Sequence, residues 1–148
     1  MIDLDLTPYI ARLREQMPQL QEVGGAAEFD RVLSKHAVPP SAYVIYLGGR
    51  AQPESARCAG VHRQQVAATF EVFICERNVA DVFGAEAEAD MRPLREGVLK
   101  ALTGWTPDPA CLEPLDRTTD RLWVFDQGVI WWRLAFATGF LMTIKGAA

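Results

Sequence analysis

The longest alternating pattern of the chain lies between Val66 and Glu76 and predicts a central β-strand. Every second residue from Val66 to Ile74 is apolar, and the intervening row still contains Phe73 and Cys75. The stretch is rich in β-branched and aromatic residues and contains neither glycine nor proline. We therefore expect one face of this strand to lie under a helical layer and the other face to be only partly exposed to water.

The first part of the chain shows helical periodicity. Apolar residues recur at helical spacing at Leu6, Ile10, Leu13 and Met17. Thr7 is expected to cap this helix, Pro8 to occupy its first turn, and the helix should end before Pro18. A short strand at Leu20–Val23 and a short second helix at Ala27–Lys35 are predicted to follow.

The next segment predicts a strand followed by a long connection. Ala42–Leu47 alternates as a second strand, and Gly48-Gly49 should end it. The stretch Gly48–Gly60 is small and polar and has no periodicity, which favours a mobile connection. Ala42–Leu47 and Val66–Glu76 are then expected to pair as an antiparallel hairpin.

A longer helical pattern covers Val79–Leu102, with a proline inside it. Either Pro93 kinks one helix, or Asp90 caps a second helix that begins near Met91. A proline in a helix interior costs about 3 kcal/mol unless it lies in the first turn. We therefore expect a break or bend at Asp90–Pro93.

The end of this helix predicts a structural junction. Gly104 should adopt a left-handed conformation just past the last turn, because glycine is the favoured residue there. Trp105 is expected to fold back against the core, and Pro107 to begin an extended connection. Large buried aromatic residues of this kind stabilise a small domain strongly.

Three strands are predicted in the last third of the chain, at Cys111–Leu115, Arg121–Phe125 and Val129–Ile144. Asp126–Gly128 should form the tight turn between the last two strands, and Gly139 should mark a bulge. The order of elements indicates a segregated α+β fold. Its expected architecture is a mainly antiparallel sheet of four to six strands with helices packed on one face.

Composition limits the domain organisation and the class of partner. The 148 residues are 49% hydrophobic and 23% charged, which suits a single domain with one core. Because 19 acidic residues outnumber 15 basic ones, giving a net charge of -4, a general or sequence-specific nucleic-acid binder is not expected. No amino-terminal signal or membrane span is predicted, and three widely spaced cysteines favour a reducing cytoplasmic compartment.

Candidate catalytic and metal-binding residues are few. Cys58 and His62 form the closest pair of soft ligands, but a zinc site needs three or four ligands at defined spacing. Ser55 or Cys58 with His62 resembles a nucleophile and its base, yet no nucleophile-elbow sequence accompanies them. We therefore expect no metal, no cofactor and no enzymatic activity.

The tryptophans and the two-sided apolar strands point to protein contacts. Trp123, Trp131 and Trp132 are more typical of packing between paired strands than of a ligand site. The central and last strands, however, carry apolar residues on both rows. One helical layer cannot cover that much surface, and large exposed apolar patches usually mediate association, so self-association is predicted.

The predicted long helix ends in the sequence Ala101-Leu102-Thr103-Gly104-Trp105-Thr106-Pro107, and a Trp/Phe-rich hairpin follows late in the chain. Together with the order of elements, these features resemble the tail terminator (tail-completion) proteins of long-tailed bacteriophages, including the Mu-like minor tail family. Arg63-Gln64-Gln65 at the start of the long strand adds to the resemblance, which extends from about Leu6 to Phe140. It implies a structural subunit of a phage or prophage tail that forms a homo-oligomeric ring, commonly a hexamer. The implied partners are the tail tube protein and a head-completion protein, and the implied locations are the host cytoplasm during assembly and then the virion tail.

Two hypotheses of different class follow. If the chain is a tail terminator, Gly48–Gly60 is the candidate docking loop. Its polar side chains are those of Arg50, Gln52, Glu54 and Arg57. The alternative is a small ligand-binding domain or enzyme with an apolar pocket. That pocket would be lined by Trp105, Trp123 and Trp132.

Overall fold

The fold is taken from a computed structural model that describes residues 1–34, 38–77, 85–126 and 128–146. Within these residues the elements are, in order, α1 (Thr7–Gln16), β1 (Glu22–Gly24), α2 (Ala26–Ser34), β2 (Ser41–Cys58), β3 (Val61–Arg77), α3 (Ala85–Leu102), β4 (Asp116–Asp126) and β5 (Val129–Lys145). The predicted α+β class is therefore confirmed. The central strand, both early helices and the last hairpin all appear, with shifted ends.

The five strands form one sheet in the order β1-β2-β3-β5-β4. β1 runs parallel to β2, and all other neighbours are antiparallel. The central ladder between β3 and β5 is the longest, and it runs without a register shift from Val61 opposite Lys145 to Arg77 opposite Val129. The sheet is thus mainly antiparallel, as the sequence predicts.

The main core lies between this sheet and the helices α1 and α3. The alternating row of β3 from Val66 to Ile74 faces this core, as expected. The almost completely buried residues of the main core include Tyr9, Leu13, Met17, Phe70, Met91, Leu102 and Phe136. Each such side chain stabilises the fold by about 1.5–3 kcal/mol relative to exposure, so this face holds the helices on the sheet.

A second, smaller core lies on the opposite face under α2. Its buried side chains are Val32, Tyr43, Phe73, Cys75 and Trp131, with Phe29 packed against them. α2 therefore adds a helix to the face that was expected to have none. The physical reason is the second row of β3, in which Phe73 and Cys75 supply an apolar surface that one short helix covers.

The start of α1 differs from the prediction. Leu6 occupies the capping position without a side-chain hydrogen bond, and Thr7 already belongs to the helix. The carboxylate of Asp5 accepts a hydrogen bond from the backbone N–H of Thr7 at 2.9 Å, and this bond lowers the pKa of Asp5. An acidic group at a helix amino terminus is favourable, so Asp5 performs the role that was assigned to Thr7.

The expected mobile connection at Gly48–Gly60 is wrong, because β2 continues through most of it. β2 pairs with β3 as far as Cys58 opposite Val61, with register shifts after Tyr46 and after Ala51. The two strands are joined at Ala59-Gly60, where φ is 47° and 75°. Positive φ at both central residues is the geometry of a tight hairpin turn.

The break considered at Asp90–Pro93, with a second helix beginning near Met91, is wrong, since α3 runs unbroken from Ala85 to Leu102 with Pro93 inside it. A bend at this position stays a prediction. Pro93 is exposed, whereas Met91 and Leu94 beside it are buried. Burial of these side chains offsets the lost backbone hydrogen bond. Residues 79–84 of the predicted helix lie outside the described residues.

Among its described residues, the last third contains one strand fewer than predicted. Cys111 ends a turn over residues 109–111, Leu112 makes only an isolated bridge to Phe140, and residues 113–115 have no regular secondary structure. The bulge expected at Gly139 is absent, because the β3–β5 ladder is regular there. Instead, a Cβ at Gly139 would lie 2.7 Å from the carboxyl carbon of Glu113, so this position accommodates a close side chain. Gln127 of the predicted turn lies outside the described residues.

Substitution of Gly104 should destabilise the junction after α3. Gly104 has φ 76°, the left-handed conformation that the sequence predicts, and an added Cβ would meet no atom within 4 Å. Only backbone strain opposes a side chain there, so Gly104→Val should lower the free energy of unfolding by about 2 kcal/mol. Thermal unfolding checks this, with Gly104→Asn as the control because asparagine tolerates this conformation. Equal melting temperatures for both variants would contradict the prediction.

Candidate functional site

The β2–β3 hairpin extends beyond the helices as an arm, which we define as residues 50–65. On β2 every residue from Arg50 to Cys58 is exposed. On the other side of β3 the arm is backed by β5, whose pairing continues to Lys145 opposite Val61. At the tip, the N–H of Gly146 donates a hydrogen bond to the carbonyl of Gly60 at 2.8 Å. The arm is therefore the projecting end of the sheet.

The polar residues of the predicted docking loop all lie on this arm. Arg50, Gln52, Glu54 and Arg57 are exposed on β2. Gln64 donates to the carbonyl of Gln52, and the Nε of Arg57 donates to Nδ1 of His62 at 3.4 Å. The structure thus gathers the four residues on one strand rather than on a loop, and their docking role stays a prediction.

Charge on the arm is opposite in sign to that of the whole chain. Arg50, Arg57 and Arg63 lie on it together with a single acidic residue, Glu54. The net charge of the chain is -4, so the arm is a local basic region on an acidic protein. Such a separation favours docking on an acidic partner surface.

A second exposed feature is an apolar segment at one edge of the sheet, which we call the edge patch (Leu122, Trp123, Val124 and Phe125). These four consecutive side chains of β4 are between 38% and 49% exposed. In the described part of the chain, β4 pairs only with β5, so its outer edge is open. The sequence pattern predicts this strand but not its edge position, because strand order is not encoded in local periodicity.

The face of the sheet opposite the main core also contains an ion pair between neighbouring strands. Arg133 donates from Nε to Oε2 of Glu71 at 2.9 Å and from Nη2 to Oε1 at 2.7 Å. The guanidinium also lies 5.5 Å from the ring centre of Phe73. Two parallel hydrogen bonds of this kind fix both side chains, so the pair is a structural feature of β3 and β5.

The predicted junction is tied to the segment before β4. Gly104 donates to the carbonyl of Leu115 at 2.8 Å, and the N–H of Leu115 donates to the carbonyl of Trp105 at 3.0 Å. Trp105 is partly buried against the main core, and Pro107 lies in the bend that follows. Trp105 therefore packs on the core as expected, whereas the extended connection expected from Pro107 is instead a bend followed by a turn at residues 109–111.

The hypothesis of an apolar pocket lined by three tryptophans is wrong. Trp105 and Trp132 pack against the main core, under α1 and α3. Trp123 lies on the opposite face, where its ring is 5.0 Å from Phe73 and 5.8 Å from Trp131. The sheet itself separates Trp123 from the other two, so the three rings share no pocket.

The cysteines are dispersed. Cys58 and Cys111 are exposed, whereas Cys75 is buried with its sulfur 2.9 Å from the hydroxyl of Ser41. Burial raises the pKa of Cys75 to about 11, which keeps this thiol protonated at neutral pH. Among the described residues, no group of three or more His, Cys, Asp or Glu is placed to hold a metal ion.

No helix in the described ranges is long and apolar enough to cross a membrane.

Comparison with curated proteins finds no match. A protein-family model described as "Phage tail terminator protein", in contrast, matches residues 1–146. The match covers the helices, the sheet, the arm and the edge patch. The chain therefore belongs to the phage tail terminator family and is a structural component of the phage tail.

Proposed function

We propose that the chain forms a ring of identical subunits on the end of the tail tube, where it stops tube growth and joins the tail to the head. Membership of the terminator family supports the tail role. The observation that carries the finer proposal is the arm, an exposed basic extension of the sheet. In this proposal the chain acts by binding alone and needs no cofactor.

The arm suits docking on the tube for two reasons. Its backbone is held by β-ladder pairing, and β3 within it is flanked by β2 and β5, so little conformational entropy is lost on binding. Its side chains are exposed, so they can be shaped for a partner without disturbing the core. Its arginines would meet an acidic surface of the tube protein and speed docking at low ionic strength.

Charge reversal on the arm tests this role. The double variant Arg50→Glu/Arg57→Glu should fold normally, because both side chains are exposed. When the tube protein polymerises in its presence, at least about tenfold more protein should be needed to limit tube length. Tube lengths measured by electron microscopy give the result. Capping by the unmodified chain should also weaken as salt rises from about 0.05 to 0.5 M.

The matched control changes the same amount of charge elsewhere. Arg92→Glu/Lys100→Glu reverses two exposed charges on α3, which contributes nothing to the arm. This variant should limit tube length as the unmodified chain does. If both double variants behave alike, the arm is not the docking element.

The head-joining role has its own test. The surface for the head-completion protein is proposed at the end of the ring away from the tube, because a connector needs two unlike faces. Tails assembled with the chain should join purified heads in a reconstitution, and tails assembled without it should not. Equal joining in both preparations would limit the role of the chain to tube growth.

A further inference from the structure

The edge patch differs from the way soluble proteins usually end a sheet. Exposed edge strands are normally protected by charged residues, by proline or by a covering element. Leu122–Phe125 contains no charged residue and no proline. Within the residues that the structure describes, no other strand pairs with this side of β4. The open backbone groups and the apolar side chains therefore occur at the same place.

The apolar side chains of the edge patch lie on both faces of the sheet. Leu122 is opposite Trp132 and Phe125 is opposite Ile130, and both partners belong to the main core side. Trp123 packs on the other face. A single helix could cover only one face. An added strand covers both, because its own side chains alternate between the two faces of the sheet.

The other side of the sheet is open as well, but it is chemically different. β1 has three residues and pairs only with Ser41–Tyr43 of β2. Between Tyr43 and the arm, no described strand pairs with the outer edge of β2, and Leu47 there is 54% exposed. The sheet thus has two unlike open edges, the edge patch on β4 and the β1–β2 side.

We infer that the edge patch binds a second copy of this chain, adding β4 to the β1–β2 side of the neighbouring sheet. This inference rests on the proposed ring. A ring with one face toward the tube and another toward the head requires every copy to point the same way. Pairing of β4 with β4 would invert alternate copies, whereas pairing of unlike edges repeats around a ring. In that arrangement β4 runs antiparallel to β2 of the next copy, which continues the pattern of the sheet.

A lysine in the edge patch should prevent association. Val124→Lys should fold, because Val124 is already 39% exposed, but it places a charge where the next strand must pack. Association measured by light scattering should weaken at least about tenfold relative to the unmodified chain. Leu141→Lys is the matched control, since Leu141 is 47% exposed on β5 outside the edge patch. Circular dichroism and melting temperature confirm that both variants fold.

Cross-linking tests which edges meet. All copies carry Cys58→Ser and Cys111→Ser, which remove the exposed native thiols. A copy with Val124→Cys is mixed with a differently tagged copy that carries either Gln21→Cys or Leu47→Cys. Both acceptor positions are exposed on the β1–β2 side, one before β1 and one on β2. Oxidation should link the unlike copies. Linkage of Val124→Cys to itself would show that like edges meet and would overturn the inference.

The outcomes separate this inference from the proposed function. If unmodified chains stay single both in solution and on tube ends, the ring itself is wrong. If they assemble and Val124→Lys assembles equally well, the ring stands and the assignment of the edge patch fails. If Leu141→Lys also blocks assembly, the effect is not specific to the edge patch, and the assignment fails again.

Discussion

Replacing Arg133 by leucine should lower the free energy of unfolding by about 3 kcal/mol, because Glu71 then loses its only ion-pair partner among the described residues. The Glu71 side chain is 9% exposed, so water solvates its charge poorly once Arg133 is gone. The Arg133 side chain is 24% exposed, which places the expected loss at the lower end of the range for buried pairs. Urea denaturation at neutral pH measures the change.

Two controls show whether the loss comes from an unpaired buried charge. The double variant Glu71→Leu/Arg133→Leu removes both charges and should recover most of the lost stability. Arg117→Leu breaks the exposed pair with Asp120 and should cost at most about 1 kcal/mol. If the double variant is as unstable as the sum of its two single variants, the charges do not stabilise each other.

Replacing Trp105 by alanine should have the second large effect, about 3 kcal/mol, because it removes a large aromatic side chain packed against the main core. The indole meets Tyr9 edge to face at 5.6 Å, and the guanidinium of Arg12 lies 5.1 Å from the ring centre. Tyr9 is fully buried, so truncation of Trp105 would open its ring to solvent. Both contacts stabilise the folded state in addition to the burial of the indole ring.

Calorimetric melting and urea denaturation together measure this loss. Trp105→Phe keeps an aromatic ring next to Tyr9 and should cost clearly less than Trp105→Ala. Neither substitution should impair the edge patch, because the ring contacts of Trp105 are with Tyr9 and Arg12 of α1 and not with the four residues of the patch. An alanine variant as stable as the unmodified chain would mean that the junction after α3 contributes nothing to the core.

Local sequence patterns predicted those elements whose secondary structure is determined by the burial or the backbone preference of their own residues. The alternating row from Val66 to Ile74 identified β3 because burial on one face follows the period of a strand. Gly104 identified the end of α3 because few other residues adopt a left-handed conformation there. Trp105 was placed on the core because a side chain of that size is rarely left in water.

The arm was mistaken for a loop because its sequence contains none of these signals. Residues from Gly48 to Cys58 are small or polar, and side-chain burial does not hold them in a strand. Pairing with β3 holds them instead, and β3 is fixed by its long ladder with β5. Pro53 is tolerated because it lies in the register irregularity after Ala51, at an open edge where its missing N–H breaks no ladder.

The remaining differences share a cause, which is that they depend on distant parts of the chain. α2 lies on the second face because Phe73 and Trp131, which are far apart in sequence, meet there. The edge position of β4 follows from strand order, which only the assembled sheet defines. The polarity of the sequence was enough to select the candidate docking residues, which are Arg50, Gln52, Glu54 and Arg57. The edge patch, in contrast, can be identified only when the strand order of the sheet is known.

The exposure of the arm has a consequence for divergence within the family. Substitutions at exposed positions usually change stability by at most about 0.5 kcal/mol, so the residues from Arg50 to Cys58 can vary while the fold is retained. The core under α1 and α3 has no such freedom, since each of its positions is closely packed. Under the docking role proposed for the arm, a terminator of this design would change its tube partner by substitutions at exposed positions on two strands, while the core residues stay the same.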